Sequence, residues 1–148
     1  MNPQFLKRIV AHYVKEPQIE YRPIFRAPED IVGHFKYLAS RDREEFLTLH
    51  LDKSNGLLCW DQVSVGTVDQ CIVSPRDILK VALLSNAAAL ILLHNHPSER
   101  SEPSSEDREI TRRVMEAATL FDIKILDHLI VGNTTSYFSF REHGLLKL

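Results

Sequence analysis

The chain has little of what marks several classes of protein. It contains two cysteines, Cys59 and Cys71, with no Cys-x-x-Cys pair, and in the cytosol both would be ordinary reduced thiols. Its longest apolar run, Ala87 to Leu93, is far too short to cross a bilayer. The first residues are not followed by the apolar core of a signal peptide, which predicts a cytoplasmic protein with no membrane partner.

An excess of positive charge is also missing. The 18 lysines and arginines are outnumbered by 20 aspartates and glutamates, for a formal net charge of −2. Nucleic-acid binders usually carry a basic excess, because neutralising phosphates and releasing counterions supplies most of their affinity. Here the arginines are scattered among acidic residues, as in the segment Arg41 to Glu45. A local basic patch is possible, but the net charge does not support nucleic acid as a partner.

The length and composition predict one soluble globular domain. A chain of 148 residues can bury a real core but is too short for two ordinary domains. Its 44% hydrophobic and 26% charged residues are typical of soluble proteins. Residues 1–30 are predicted to form an N-terminal helix from Pro3 and an extended, proline-interrupted connector. Residues 31–148 are predicted to form the globular domain.

The spacing of apolar residues predicts an α/β (α+β) fold in which a mixed β-sheet is flanked by helices. Apolar residues recur at helical spacing before Glu45 and at every second position from Glu45 onwards. Helical spacing returns after Ser74 and again after Ser104. Strands are predicted at residues 45–52, 57–63, 67–73, 88–93, 123–131 and 137–140, and turns at 54–56 and 132–133. Helices are predicted to begin at Pro28, Pro75 and about Ser105. Their inward residues would be Ile31, Phe35 and Leu38; Ile78, Leu79, Ala82 and Leu83; and Ile110, Val114, Ala117 and Phe121.

Two histidines at the end of the apolar strand could share a metal ion. His94 and His96 are separated by one residue, so on a strand their side chains point the same way. Asp107 would lie in the first turn of the helix that follows. Two imidazoles and a carboxylate leave a tetrahedral zinc one position for water, which is typical of a catalytic site.

Each half of this pattern also has a simpler interpretation. A His-x-His pair is commonly just two polar residues at a strand end. Ser104-x-x-Asp107 is a variant of the capping box that begins many helices. The two interpretations are compatible, because a capped helix start would hold Asp107 rigidly. The combination of apolar strand, His-x-His-Pro, loop and capped helix is what favours the metal site.

These residues resemble the signature of the RadC branch of the JAMM (MPN+) metalloprotease superfamily. The resemblance covers roughly Ile31 to Leu146 and is strongest with short RadC-like proteins, which lack the N-terminal helix-hairpin-helix region of longer relatives. It rests on His94-Asn95-His96-Pro97-Ser98 and Pro103-Ser104-x-x-Asp107, with further matches at Glu44-x-Phe46, Leu51-Asp52, Gly66-Thr67, Ser74-Pro75-Arg76, Leu126 to Gly132 and Ser139-Phe140.

The resemblance implies a cytidine-deaminase-like αβα fold, one zinc ion on His94, His96 and Asp107, and two further site residues. Glu44 would be the general acid/base for the zinc-bound water. The adjacent Glu45 would point to the opposite face of a strand, so only one of the two can serve. Ser104 would donate a hydrogen bond to the developing oxyanion, in addition to any role as a helix cap.

Two residues near the motif leave alternatives open. The family usually has glycine where this chain has Glu99, and a glycine there would serve a positive φ or a close approach of substrate. His128 is either a partner of the site or a hydrogen-bonded histidine in a buried strand. The remaining histidines have no ligand spacing, and Phe46 and Trp60 are interpreted as core residues rather than a base-stacking platform.

Three functions are compared. The first is a zinc-dependent hydrolase that cleaves a peptide or isopeptide-like amide bond in a protein or peptide substrate. The second, a zinc deaminase, is weak because His-x-Glu and Pro-Cys-x-x-Cys are both absent. The third is a DNA-repair-associated protein, acting as a DNA-binding or adaptor module with a silent metal site.

Overall fold

The computed structural model describes Val10, His12, and residues 23–66, 72–133 and 135–147. The N-terminal helix predicted from Pro3 lies outside the described residues, as do residues 67–71 of the strand predicted at 67–73. The last two residues of that segment, Ile72 and Val73, are described and belong to no strand. The division of the chain at residue 30 stays a prediction.

Five strands form one mixed sheet. They are β1 (Glu45–Leu51), β2 (Leu57–Val65), β3 (Ala89–Asn95), β4 (Lys124–Asn133) and β5 (Ser136–Ser139), in the spatial order β2-β1-β3-β4-β5. The β3–β4 pair is parallel and the other pairs are antiparallel. The helices are α1 (Pro28–His34), a short 3-10 helix (Lys36–Ser40), α2 (Pro75–Leu84) and α3 (Ser105–Thr119). None of the helices in the described ranges has the length and apolar character that crossing a membrane requires.

Helices cover both faces of the sheet, which confirms the predicted mixed sheet flanked by helices. On one face, α1 and the 3-10 helix pack against alternate residues of β1 such as Leu47 and Leu49. On the other face, α2 and α3 pack against the intervening residues, among them Phe46, Leu90 and Leu92. The central β3 is buried along its whole length, as its continuous apolar run predicts.

The sheet topology brings three chain segments to one end of β3. Parallel strands need a crossover connection, and α3 provides it between β3 and β4. The loop 96–104 and the first turn of α3 therefore lie beyond the carboxyl end of β3. Because β1 runs antiparallel to β3 with Phe46 opposite His94, the start of β1 reaches the same end. Ligand sites in open α/β sheets commonly occupy this position.

Some local predictions are wrong. Gly132 and Asn133 are not a turn but part of β4, which continues until Asn133 pairs with Ser136. Leu83 is 46% exposed and Phe121 is 50% exposed. Phe121 leaves the inward stripe because α3 ends at Thr119. The other inward residues of α2 are buried, and its start is capped by Ser74 with Pro75 in the first turn, as predicted.

His50 is a buried polar residue of β1, on the sheet face that α2 and α3 cover. Its side chain is fully buried, and its Nε2 lies 2.9 Å from the Thr48 hydroxyl. Its Nδ1 has no hydrogen-bond partner among the described residues. Burial disfavours the imidazolium form and lowers the pKa of His50 from the usual 6.5 to about 4. The neutral ring is therefore the form that the folded protein holds.

We predict that His50 makes the fold acid-sensitive. The unfolded chain binds this proton first as the pH falls, so the stability from neutral His50 is present above pH 6.5 and lost towards pH 4. Urea unfolding at about pH 7.5 and about pH 5 should show a loss about 2 kcal/mol larger in wild type than in His50→Leu. His50→Gln, which cannot titrate either, should behave like His50→Leu.

The matched control is His34→Gln, which removes an exposed histidine and leaves His50 in place. An equal loss of stability in all four proteins would show that another group causes the acid sensitivity.

Candidate metal centre

Three side chains converge at the carboxyl end of β3. His94 is on the strand, His96 follows it, and Asp107 is in the first turn of α3. The two Nε2 atoms of the histidines are 3.0 Å apart. Asp107 Oδ1 lies 3.1 Å from His94 Nε2, and Asp107 Oδ2 lies 3.2 Å from His96 Nε2. The three residues could therefore hold one metal ion, and their donor set fits zinc as well as other divalent transition metals.

Asp107 is positioned by the cap of α3. Its Oδ2 accepts hydrogen bonds from the Ser104 N–H at 2.7 Å and the Ser104 hydroxyl at 2.8 Å. The Asp107 N–H donates in return to Ser104 Oγ at 3.1 Å, which completes a capping box. Burial raises the pKa of Asp107, but its close interactions with His94 and His96 and the hydrogen bond from the Ser104 backbone outweigh it and hold that pKa far below its usual range. Asp107 is therefore a carboxylate at neutral pH.

Each histidine of the cluster is also held by its other ring nitrogen. His96 Nδ1 donates to the backbone carbonyl of Arg100 at 2.9 Å, which leaves Nε2 free to bind a metal. Burial lowers the pKa of His96, but the adjacent Asp107 and the Arg100 carbonyl outweigh it, so the pKa is raised. His94 is fully buried, stacks on Phe46 at 5.4 Å between ring centroids, and places Nδ1 2.8 Å from His128 Nε2.

His128 satisfies both interpretations left open by the sequence. It is a fully buried histidine of β4 that stacks on Phe140, and it also contacts a residue of the cluster directly. Its Nδ1 lies 2.6 Å from the hydroxyl of Thr111 on α3. Thr111 was not among the residues predicted from the sequence. The only local signal for it is its position one helical turn after Asp107.

The structure separates the two adjacent glutamates. Glu45 points to the face of the sheet that α1 covers. Its carboxylate accepts a hydrogen bond from Gln62 Nε2 at 2.9 Å and forms an ion pair with Arg41 at 3.1 Å. Glu44 lines the same groove as His96 and Asp107. Partial burial raises the pKa of Glu44, Asp107 raises it further, and His94 and His96 lower it, with a raised pKa as the result. Of the pair, Glu44 is the residue placed towards the cluster.

The groove beside the cluster is open, acidic and partly apolar. It has a volume of about 790 Å³. Ser104, Glu106 and Glu109 line it beside Glu44, His96 and Asp107, and Arg113 supplies the one guanidinium among the lining residues in the described ranges. Its apolar lining is Phe46, Ile72, Val73, Pro97 and Ile110. The Ser104 hydroxyl faces this groove but donates its proton to Asp107.

The loop after the histidines contains a backbone conformation that favours glycine. Glu99, where the family resemblance led us to expect glycine, has a φ of 65°. The loop also passes very close to β4, because a methyl group on Gly132 would lie 2.4 Å from the Glu99 carbonyl oxygen. Gly132 is therefore required by close packing of two backbones rather than by a turn. Of the two reasons considered for a glycine at position 99, a positive φ is confirmed.

We predict that Glu99→Gly stabilises the protein. A non-glycine residue in the left-handed region costs about 1–2 kcal/mol, and the extra freedom of glycine in the unfolded chain returns about half of this. Urea unfolding should therefore show a gain of about 0.5–1 kcal/mol for Glu99→Gly. Glu99→Ala removes the same carboxylate but keeps the Cβ atom, and it should show no such gain. An equal gain for both variants would assign the effect to charge instead.

Comparison with known proteins agrees with this arrangement. The model of the RadC-like JAB domain family matches residues 25–145. A UPF0758 protein of Rubrobacter xylanophilus is 44% identical over 126 residues, which cover 84% of this chain and 55% of that protein. The chain thus spans about half the length of that relative. The chain spans most of the length of two UPF0758 proteins of Escherichia coli K12. YkfG is 40% identical, and the match covers 94% of this chain and 85% of YkfG. YeeS is 42% identical, and the match covers 95% of this chain and 92% of YeeS. With its fold and its family match in agreement, the chain belongs to the RadC-like branch of the JAMM/MPN superfamily.

Proposed function

We propose that the chain is a zinc-dependent hydrolase of the JAMM type, which cleaves a peptide or isopeptide-like amide bond. His94, His96 and Asp107 would hold the ion through two imidazole nitrogens and a carboxylate oxygen. Zinc bound there would polarise the scissile carbonyl and make an attacking water acidic enough to ionise near neutral pH. The remaining steps depend on side chains of the groove.

The observation that carries this proposal is the Glu44 carboxylate in the same groove as the three candidate ligands. Among the described residues, this carboxylate has no hydrogen-bond or ion-pair partner, in contrast to the carboxylate of Glu45. Its raised pKa suits a group that takes a proton from the attacking water and returns it to the leaving amine. A metal cluster with a structural role alone would not need such a neighbour.

Ser104 has a defined structural role and a proposed catalytic one. Its hydroxyl caps α3 and donates to Asp107 Oδ2. To stabilise an oxyanion, the hydroxyl would have to turn away from Asp107 and towards the substrate carbonyl. The side chain is exposed in the groove, so a rotation about its Cα–Cβ bond has room. The oxyanion role stays a proposal.

The charge of the groove supports a neutral or basic peptide as substrate. Four carboxylates line it against one guanidinium, and a negative excess remains after the charge of a divalent ion is added, which disfavours acidic segments and the phosphates of a nucleic acid. The apolar wall near Ile72 and Ile110 offers contact area for a hydrophobic side chain. A lysine side chain in an isopeptide bond is compatible with both features. The groove therefore gives no support to the DNA-binding alternative.

We predict that the purified protein binds one equivalent of zinc through the cluster. Because each ligand supplies one of three protein donors, His94→Ala, His96→Ala and Asp107→Ala should each lose most of the bound metal, measured by elemental analysis after dialysis. His34→Ala, which removes an exposed histidine far from the cluster in sequence, should retain it. Stoichiometric zinc in a His94→Ala/His96→Ala double variant would contradict the assignment.

We predict that Glu44→Gln abolishes cleavage while zinc content is unchanged, because this side chain is a base and not a ligand. The expected fall in kcat is at least about 100-fold in a peptide-library cleavage assay. Glu45→Gln is the matched control, since it makes the same change at the adjacent residue on the opposite face. Normal cleavage by Glu44→Gln and loss of cleavage in Glu45→Gln would show that the base is misplaced by one residue.

A further inference from the structure

A chain of hydrogen bonds links two of the candidate ligands through the protein interior. It begins at the backbone carbonyl of Asp107, which lies 2.5 Å from the Thr111 hydroxyl. The same hydroxyl lies 2.6 Å from His128 Nδ1. His128 Nε2 in turn lies 2.8 Å from His94 Nδ1. The chain thus runs from α3 through β4 to β3, and its buried members are shielded from water.

The chemistry of the Thr111 end determines the direction of the first two hydrogen bonds. A backbone carbonyl can only accept, so the Thr111 hydroxyl donates its single proton to the carbonyl of Asp107. The hydroxyl oxygen then has only lone pairs to offer to His128. His128 Nδ1 must therefore carry a hydrogen and donate it to Thr111.

The direction of the remaining bond follows from the burial of His128. A fully buried imidazole without a carboxylate in hydrogen-bond contact is held as the neutral ring, which has one N–H. Since that hydrogen is on Nδ1, Nε2 of His128 is an acceptor. His94 Nδ1 must then donate to it, which leaves His94 Nε2 with its lone pair directed at His96 and Asp107.

We propose that Thr111 and His128 are positioning residues, which hold His94 in the tautomer and ring orientation that a metal ligand needs. This inference rests on the metal site of the proposed function but not on hydrolysis. His96 achieves the same tautomer by donating to the carbonyl of Arg100. Among the described residues, His94 Nδ1 has no backbone carbonyl as its hydrogen-bond partner. It depends instead on the side chain of His128, on a neighbouring strand. Removal of either positioning residue would let the proton of His94 move to Nε2 and block the ligand atom.

The test compares variants that keep shape and change only hydrogen bonding. Thr111→Val removes the hydroxyl with little change of volume. His128→Phe removes both ring nitrogens in a site already lined by Phe46 and Phe140. His128→Gln keeps an acceptor near the position of Nε2. Thr119→Val is the matched control, because Thr119 makes the same side-chain bond to a backbone carbonyl on the same helix, away from the cluster.

Zinc affinity measured by competition with a chromogenic chelator gives the first readout. Loss of an outer partner of a metal-binding histidine typically weakens metal binding about 10–100-fold. Thr111→Val and His128→Phe should show such a loss, His128→Gln should recover most of the affinity, and Thr119→Val should match the wild type. Equal affinity in all variants would overturn the proposal.

The second readout is the ring-nitrogen NMR spectrum of the metal-free, ¹⁵N-histidine-labelled protein under mildly alkaline conditions. Wild type should show the proton of His128 on Nδ1, and Thr111→Val should move it towards Nε2. A His128 proton on Nε2 in the wild type would overturn the inference whether or not zinc binds. A wild type that binds no zinc but has the expected spectrum would instead contradict the proposed function. Absence of hydrolysis alongside the expected spectrum and affinities would leave the positioning role supported.

Discussion

The rest of the site depends on one carboxylate that performs two tasks. Asp107 caps α3 through its hydrogen bonds with Ser104, and the same carboxylate faces both histidines of the cluster. The positive end of the helix dipole favours a negative charge at this position. The start of the helix and the two histidines therefore stabilise the same ionised carboxylate. The position of α3 relative to β3 and the geometry of the cluster are therefore coupled.

The sheet supplies the remaining constraint. Side chains on a strand alternate between faces, so the antiparallel pairing of β1 with β3 places Glu44 on the face of His94 and turns Glu45 towards Arg41 and Gln62. The parallel pairing of β3 with β4 requires the α3 crossover, which delivers Asp107 to the same end. The sheet thus brings Glu44, which is distant in sequence, beside a cluster whose three members are close to one another in sequence.

Local patterns were enough to predict the features that short-range chemistry determines. The His94 and His96 spacing, the cap at Ser104 and the buried β3 follow from strand period, helix capping and an apolar run. Features that depend on distant contacts could not be predicted in this way. Thr111 contacts His128 only because β4 passes beside α3, and its proposed role depends on that contact. Gly132 was predicted to be in a turn because the loop that packs against it is far away in sequence.

The three candidate ligands come from a strand, the loop after it and a helix, and this origin has a consequence for evolution. An ion held between β3 and α3 would act as a cross-link, and any ligand that binds only the folded state shifts folding towards that state. Selection for a stable fold could then preserve the cluster in a relative that catalyses nothing. The metal ligands and the base would then diverge independently. The residue at the position of Glu44 would therefore distinguish enzymes from relatives that keep the metal only for stability, and it would do so better than the residues at the positions of His94 and His96.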